Sequence, residues 1–148
     1  RPRRGAGKTT TLRTLPPLPK PTNQRHIVLR MDEDGRPNPA AYIDDKTFDP
    51  KRIDQTITHG TTETWTVTNA NQNAPHNFHM HLIQFRILER DGKPTPPTEN
   101  GLKDTVRLLP GETVTLQATF NTYKGRYPYH CHLLDHSAMG MMAQMQIT

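Results

Sequence analysis

The stretch His130-Cys131-His132-Leu133-Leu134-Asp135-His136-Ser137-Ala138-Met139-Gly140-Met141 decides how this chain is read. It holds the single cysteine of the sequence and three of its eight histidines. Four residues separate Cys131 from His136, and four more separate His136 from Met141. Thiolate, imidazole and thioether form a soft donor set. Two histidines and a cysteine in a trigonal arrangement, with a weak axial methionine, are the signature of a blue-copper centre. The stretch supplies Cys131, His136 and Met141, so a second histidine must come from elsewhere. His130 and His132 flank the cysteine. In an extended segment, residues i and i+2 share one face and i+1 takes the other. Both flanking histidines therefore point away from the metal that Cys131 binds, toward a second site on the opposite side of the same strand.

A second cluster, His76-Asn77-Phe78-His79-Met80-His81, answers the first. His79 and His81 share a face, and His76, an odd number of residues from both, takes the other. His76 then joins Cys131, His136 and Met141, while His79 and His81 join His130 and His132. His26 and His59 fall outside both motifs and read as structural or surface residues. Zinc also accepts cysteine and histidine. Met141 is not a usual zinc ligand, however, and a structural zinc site has little use for so many histidines. Met139, Met142 and Met145 read as packing or surface residues.

The rest of the chain supplies a β scaffold. Its 148 residues suit one domain with a modest core. Fourteen prolines, nine glycines and only 32% hydrophobic residues predict many turns and few long helices. Threonine-rich alternation favours strands. Strands are expected at 26–31, 40–43, from 53 to 57, at 61–69, within 76–88, where a loop leads into a long strand, and at 104–109, 112–120, 125–133 and 142–147. Asp91-Gly92 and Pro110-Gly111 mark turns, and 93–101 reads as a surface loop. This pattern predicts an all-β sandwich or barrel. No apolar run approaches the ~18 residues of a membrane-spanning helix. One cysteine excludes an internal disulfide.

Residues 1–24 are basic and proline-rich and read as an interdomain linker or an arm lying on a neighbour. Pro16, Pro17, Pro19 and Pro21 stiffen the end of this segment. Gly5-Ala6-Gly7-Lys8-Thr9 superficially matches a phosphate-binding loop. It lacks the glycine five residues before Gly7, where Pro2 stands, and the preceding strand. Much of the +5 net charge falls in this segment, in Arg1, Arg3, Arg4, Lys8, Arg13 and Lys20. No basic, aromatic-bearing recognition motif accompanies it, which argues against nucleic-acid binding. A chain that opens on Arg1 is expected to be part of a longer polypeptide.

The two histidine motifs resemble those of multicopper oxidases, whose C-terminal cupredoxin domain carries His-Pro-x-His-x-His and then His-Cys-His-x-x-x-His-x-x-x-x-Met. The resemblance covers residues 25–148. Leu82, Leu133-Leu134, the segment Gly101-Leu102-Lys103-Asp104-Thr105 and Gly125-Arg126-Tyr127 are similar to the branch of bacterial laccases, spore-coat laccases and bilirubin oxidases. It implies a cupredoxin-like Greek-key β-sandwich. It implies that His76, Cys131, His136 and Met141 bind a type 1 copper, His79 a type 2 copper, and His81, His130 and His132 a type 3 pair. Electrons would enter from a small reducing substrate near His136 and pass through Cys131 and its flanking histidines. Dioxygen would be reduced to water at a trinuclear cluster. That cluster uses eight histidines in the family, and this chain offers four, so an N-terminal cupredoxin domain is the implied partner. The resemblance also implies a secreted or extracytoplasmic protein.

Two residues depart from the family pattern. Asn77 replaces the usual proline and is expected to loosen the loop carrying His76. Ser137 stands where many bacterial members have an acid that helps deliver protons, so Asp135 or a group elsewhere would take that part. Asp104 is a further candidate for supporting a ligand. An axial methionine implies a modest copper potential. The competing functions are a non-enzymatic blue-copper electron carrier, a two-domain nitrite reductase and a zinc-binding structural module. The carrier leaves four aligned histidines without a task, and the His-Cys-His triplet is not the habit of nitrite reductases.

Overall fold

The computed structural model describes residues 15–148. The Gly5-to-Thr9 stretch and most of the basic residues of the first segment lie outside the described residues. Among the described residues, eleven strands form two packed sheets. They are β1 (Asn23–Met31), β2 (Ala41–Ile43), β3 (Gln55–Ile57), β4 (Thr62–Asn69), β5 (His76–Met80), β6 (Phe85–Arg90), β7 (Lys93–Pro94), β8 (Thr105–Leu108), β9 (Thr113–Thr119), β10 (Gly125–Cys131) and β11 (Met142–Ile147). One short helix, α1 (Leu134–Ala138), follows β10. The six-stranded sheet runs β2-β1-β4-β9-β6-β7 and the five-stranded sheet β3-β11-β10-β5-β8. The pairs β1–β4 and β11–β3 are parallel, and the remaining pairs are antiparallel. The all-β expectation holds.

The core lies between the sheets, and alternation within each strand fills it. In β4, Trp65 and Val67 are fully buried while Thr64, Thr66 and Thr68 face outward and are half-buried. Trp65 reaches across to the other sheet. Its ring stands 5.5 Å from Tyr129 in an edge-on arrangement and 6.4 Å from Phe78. Phe120 lies 6.1 Å away on the same side of the core. Such offset and edge-on aromatic contacts lock the sheets in register beyond what area burial supplies.

The segment 76–88, read as a loop leading into one long strand, folds as two strands in different sheets. β5 belongs to the five-stranded sheet and β6 to the six-stranded sheet. The chain crosses between them at His81 to Gln84, where Leu82 takes a left-handed backbone with φ of 72°. The buried positions are even-numbered through His76, Phe78 and Met80 and odd-numbered from Ile83 through Phe85 and Ile87, so the apolar phase shifts by one residue at the crossing while both strands face the one shared core. Sequence periodicity reports the face and not the hydrogen-bond partner, so this shift of phase does not by itself reveal the switch of sheets.

The described part of the proline-rich segment lies against the six-stranded sheet. Pro16 accepts a hydrogen bond from the Arg86 guanidinium, and Pro19 accepts one of 2.7 Å from the Gln117 amide. Thr22 N–H then donates to Thr62 O at 2.8 Å, and the chain enters β1.

At one end of the sandwich a polar node joins the sheets. The Arg25 guanidinium makes a two-pronged bond to Glu63, at 2.6 and 2.9 Å. It also donates to Gln55 Oε1 at 2.6 Å and to Thr56 O at 2.7 Å on β3 of the opposite sheet. Trp65 Nε1–H adds a third donor to Glu63, at 3.0 Å. The Glu63 side chain is 3% exposed and that of Arg25 16%. Burial alone would push the Glu63 carboxyl up, but Arg25, Trp65 and Asn23 outweigh it and hold the group below its ordinary value.

Removing one partner of a buried pair leaves a charge without compensation and costs about 3–5 kcal/mol. Glu63→Ala is therefore expected to destabilise the domain by about that amount in chemical denaturation, and Arg25→Met combined with Glu63→Leu to recover much of the loss. Because the folded pKa is depressed, the carboxylate's contribution is complete above the unfolded value of about 4.3 and is lost as pH falls through the lower folded value. The stability difference between the parent and Glu63→Gln should shrink over that acid range.

Candidate metal centres

Strand β10 carries Tyr129 and Cys131 into the core and His130 outward. It pairs with β5 so that Cys131 lies opposite Phe78 and His130 opposite His79. On β5, His76 and Phe78 are buried while Asn77 and His79 are turned outward. The parity read from the sequence thus appears in the fold, with one histidine set on each side of the sheet.

The core-facing set is compact. Cys131 Sγ lies 3.8 Å from His76 Nδ1 and 3.6 Å from His136 Nδ1, and the two ring nitrogens are 3.0 Å apart. Donor atoms of all three residues fall within 4.8 Å of one another. His76, Cys131 and Met141 have no solvent exposure, and His136 is half-buried. Helix α1 was not anticipated. At five residues it is too short to carry a periodic signal, yet it is what turns His136 back toward Cys131. Met141 N–H donates to His136 O at 3.1 Å, and Cys131 N–H donates to Met141 O at 3.1 Å, so the main chain ties three sequence-predicted ligands into one loop. Gly140 makes the return at φ of 112°, where a Cβ would stand 3.1 Å from both Ala41 O and Thr47 Cβ.

Hydrogen bonds fix the protonation of this set. Asn71 is pinned by Met31, donating to its carbonyl at 2.9 Å and accepting from its amide at 2.8 Å. Asn71 Oδ1 then accepts from His76 Nε2 at 2.9 Å, which leaves the Nδ1 lone pair directed at Cys131. Burial, and secondarily His136, depresses His76 to about 4. Burial also lowers His136. Both imidazoles are neutral and able to coordinate at neutral pH. Burial pushes the Cys131 thiol up, opposed by the main-chain amides of Asn77 and Leu133. A soft, dry, neutral donor set of this kind fits a copper ion.

The outward set gathers His79, His81 and His130, whose donor atoms also fall within 4.8 Å of one another. His81 Nε2 and His130 Nε2 are 3.1 Å apart. His132 is exposed and stands beside this trio, its ring 5.0 Å from His79 and 5.5 Å from His130. His79 Nδ1 donates to Asp104 O at 2.8 Å, and His130 Nδ1 donates to Cys131 O at 2.8 Å, so each keeps Nε2 free as a donor to metal. Burial and then neighbouring histidines lower His81, and burial leads the lowering of His130.

Asp104 supports His79 through its main-chain carbonyl, while its carboxylate accepts from the Thr105 hydroxyl at 3.0 Å. Thr105 Oγ1 itself lies 2.9 Å from His79 Nδ1. Asn77 sits within β5, and its amide donates to Cys131 Sγ at 3.4 Å, so the expected loosening is not what the fold displays. The approach to His76 is held instead by Glu33, whose carboxylate accepts from the successive amides of Gln72, Asn73 and Ala74 at 3.0–3.1 Å. Asn69 closes the same turn by donating to Ala74 O and Leu109 O. Glu33, Asn69, Asn71 and Thr105 carry no motif in the sequence. His26 and His59 lie away from both sets, against Thr68 and Thr122.

Comparison with known proteins agrees with this geometry. The multicopper oxidase family profile matches residues 17–148. The chain is 34% identical over 145 residues to a laccase of Bacillus subtilis, covering 85% of this chain and 28% of that protein. It is 33% identical over 138 residues to a bilirubin oxidase of Albifimbria verrucaria, covering 89% of this chain and 24% of that protein. Among solved structures, a laccase from Pediococcus acidilactici superposes with a TM-score of 0.81 at 35% identity, over 93% of this chain and 30% of that one. A multicopper oxidase from Campylobacter jejuni, described as a metallo-oxidase, gives 0.81 at 28% identity over 92% and 32%. The chain spans about a quarter to a third of the length of these relatives. Its cupredoxin-like two-sheet fold, its histidine sets and these likenesses converge, and the chain belongs to the multicopper oxidase family.

Proposed function

We propose that this chain is the copper-binding C-terminal domain, residues 25–148, of a laccase-like oxidase. His76, Cys131, His136 and Met141 would hold a type 1 copper. His79 would serve a type 2 copper, and His81, His130 and His132 a type 3 pair. The observation that carries this reading is the position of Cys131: it completes a buried three-donor set while its neighbour His130 belongs to a second set on the opposite face of the same strand. Copper at these sites supplies one-electron oxidation of an electron-rich phenol, aromatic amine, pigment or low-valent metal ion, coupled to reduction of dioxygen to water.

The chain's own residues divide the work. Burial of His76, Cys131 and Met141 keeps water from the core-facing set. His136 is the member nearest solvent, on a helix whose Leu134 is 81% exposed, and this is the side where a reducing substrate would dock. Cys131 joins the two sets covalently, and the bond from His130 Nδ1 to Cys131 O adds a second short route. The outward set is open to solvent at His81 and His132. An N-terminal cupredoxin domain of the same oxidase, placed against this face, would supply the other histidines of a trinuclear cluster. The same reading places the protein outside the cytoplasm.

Copper loading of the 148-residue chain is expected to give one intensely absorbing thiolate–copper centre and only background oxygen uptake. Adding the partner domain should restore uptake with a phenol or bilirubin-like reductant. A colourless, zinc-loaded protein would overturn the reading, and an absorbing centre with no uptake under any partner would favour an electron carrier. In the two-domain assembly, Cys131→Ser should abolish the visible absorption. His79→Ala should keep that absorption and lower oxygen uptake by more than about 100-fold, the upper end of the cost of removing a supporting partner.

A further inference from the structure

We infer that the main-chain amide of Asn77 raises the reduction potential of the Cys131 centre by hydrogen bonding to its sulfur, and so sets which reductants this oxidase can use. This rests on the reading of Cys131 as a copper-bound thiolate. Asn77 N lies 3.4 Å from Cys131 Sγ, and Cys131 has no solvent exposure. No water competes for that sulfur, and in such surroundings a hydrogen bond is electrostatically stronger than in water. The position is occupied by proline in the family pattern, and proline has no N–H to give.

The arrangement around Asn77 is specific to this bond. Asn77 O accepts from His132 N–H at 2.6 Å, while Asn77 N–H reaches Cys131 Sγ. Both main-chain groups of Asn77 thus point toward β10, since the N–H and C=O of one residue in an antiparallel strand face the same neighbour. Neither is turned to β8 on the other side, although Asn77 lies opposite Arg107 there. The N–H is therefore spent on the sulfur and not on the ladder with β8, and proline at this position removes the sulfur bond without breaking that ladder.

The direction of the effect follows from charge. With copper bound, one-electron reduction would add to the thiolate–metal unit an electron from the reducing substrate, later passed to dioxygen, with no bond made or broken at Cys131. Negative charge at the sulfur grows. An N–H dipole aimed at it stabilises the reduced form more than the oxidised form, so the potential rises. Hydrogen bonding around the cysteine sulfur is one of the levers that tune such sites, alongside the axial ligand. Asn77 thereby offsets the modest potential implied by Met141 and extends the oxidase toward reductants that give up an electron less readily.

The test uses the copper-loaded protein, with the visible thiolate–copper absorption titrated against a redox mediator of known potential. Asn77→Pro is expected to shift the oxidised-to-reduced ratio about tenfold toward the oxidised form, ~59 mV for a one-electron couple. Asn77→Ala keeps the N–H and should hold the parent value. An ester at the bond joining His76 to Asn77 deletes the N–H while keeping the side chain, and should match Asn77→Pro. It decides the matter where the proline variant does not fold. A potential unchanged in the ester or proline form, or lowered as far by Asn77→Ala, overturns the inference while the absorbing centre stands. If the parent loaded with copper shows no such absorption, the reading of Cys131 as a type 1 ligand falls and takes this inference with it.

Discussion

The two-residue repeat of an extended strand is the constraint on which the rest depends. At Cys131 it sends one side chain into the core and its neighbours to the other face, a single peptide unit apart. A slip of one residue in the pairing of β10 with β5 would exchange the two faces and scatter both sets at once. Register is therefore held from several directions. Tyr129 and Phe78 pack against Trp65 from opposite strands of the same sheet. On the other side of β10, Tyr129 lies opposite Ala143 and His130 opposite Met142 of β11. The same aromatic cluster that closes the core thus fixes the register that separates the sites.

The two faces differ in how their donors are prepared. On the core side the protein excludes water, keeps His76 neutral by burial and orients it with Asn71, so little remains to be ordered when a metal enters. On the outer side the rings of His79 and His130 are held at one edge, by the carbonyls of Asp104 and Cys131 and the hydroxyl of Thr105. Their free nitrogens face away from the sheet. A donor set prepared in this way is oriented by its own domain but shielded by something else. Orientation from behind and coverage from in front are separable tasks, and the second belongs to the proposed partner.

Sequence made the donors legible because their chemistry is rare and their spacing is read by parity alone. The faces of His76, His79, His130 and Cys131 followed from counting residues, and most strands followed from threonine-rich alternation. What remained hidden had a common cause. The sheet switch at Leu82 shows in the sequence only as a one-residue shift of apolar phase, from Phe78 and Met80 to Ile83, Phe85 and Ile87, which does not tell which sheet each half joins. Helix α1 spans barely more than one turn and is imposed by the loop between Cys131 and Met141, not by propensity. Glu33, Asn69, Asn71 and Thr105 act through hydrogen bonds to backbone or ring nitrogens across distances of up to 41 positions in the chain, which no local motif records. Asn77 was visible as a departure, but its meaning depended on where its N–H points. Reading the loss of proline as a loss of stiffness considered the side chain and overlooked the donor gained.

That last point bears on how such a site can be tuned without disturbing it. The proposed ligands are constrained by donor type and by parity. The main chain around the sulfur is constrained only by sheet pairing, and at Asn77 its N–H serves the sulfur and not the ladder with β8. Replacing proline there leaves the ligand geometry to Glu33, Asn69 and Asn71, which already hold the turn before His76 from outside. The site can thus gain or lose a hydrogen bond at the Cys131 sulfur while every proposed ligand stays in place. In a fold whose alternation fixes almost everything else about the two faces, this is the degree of freedom left for adjusting the proposed electron entry.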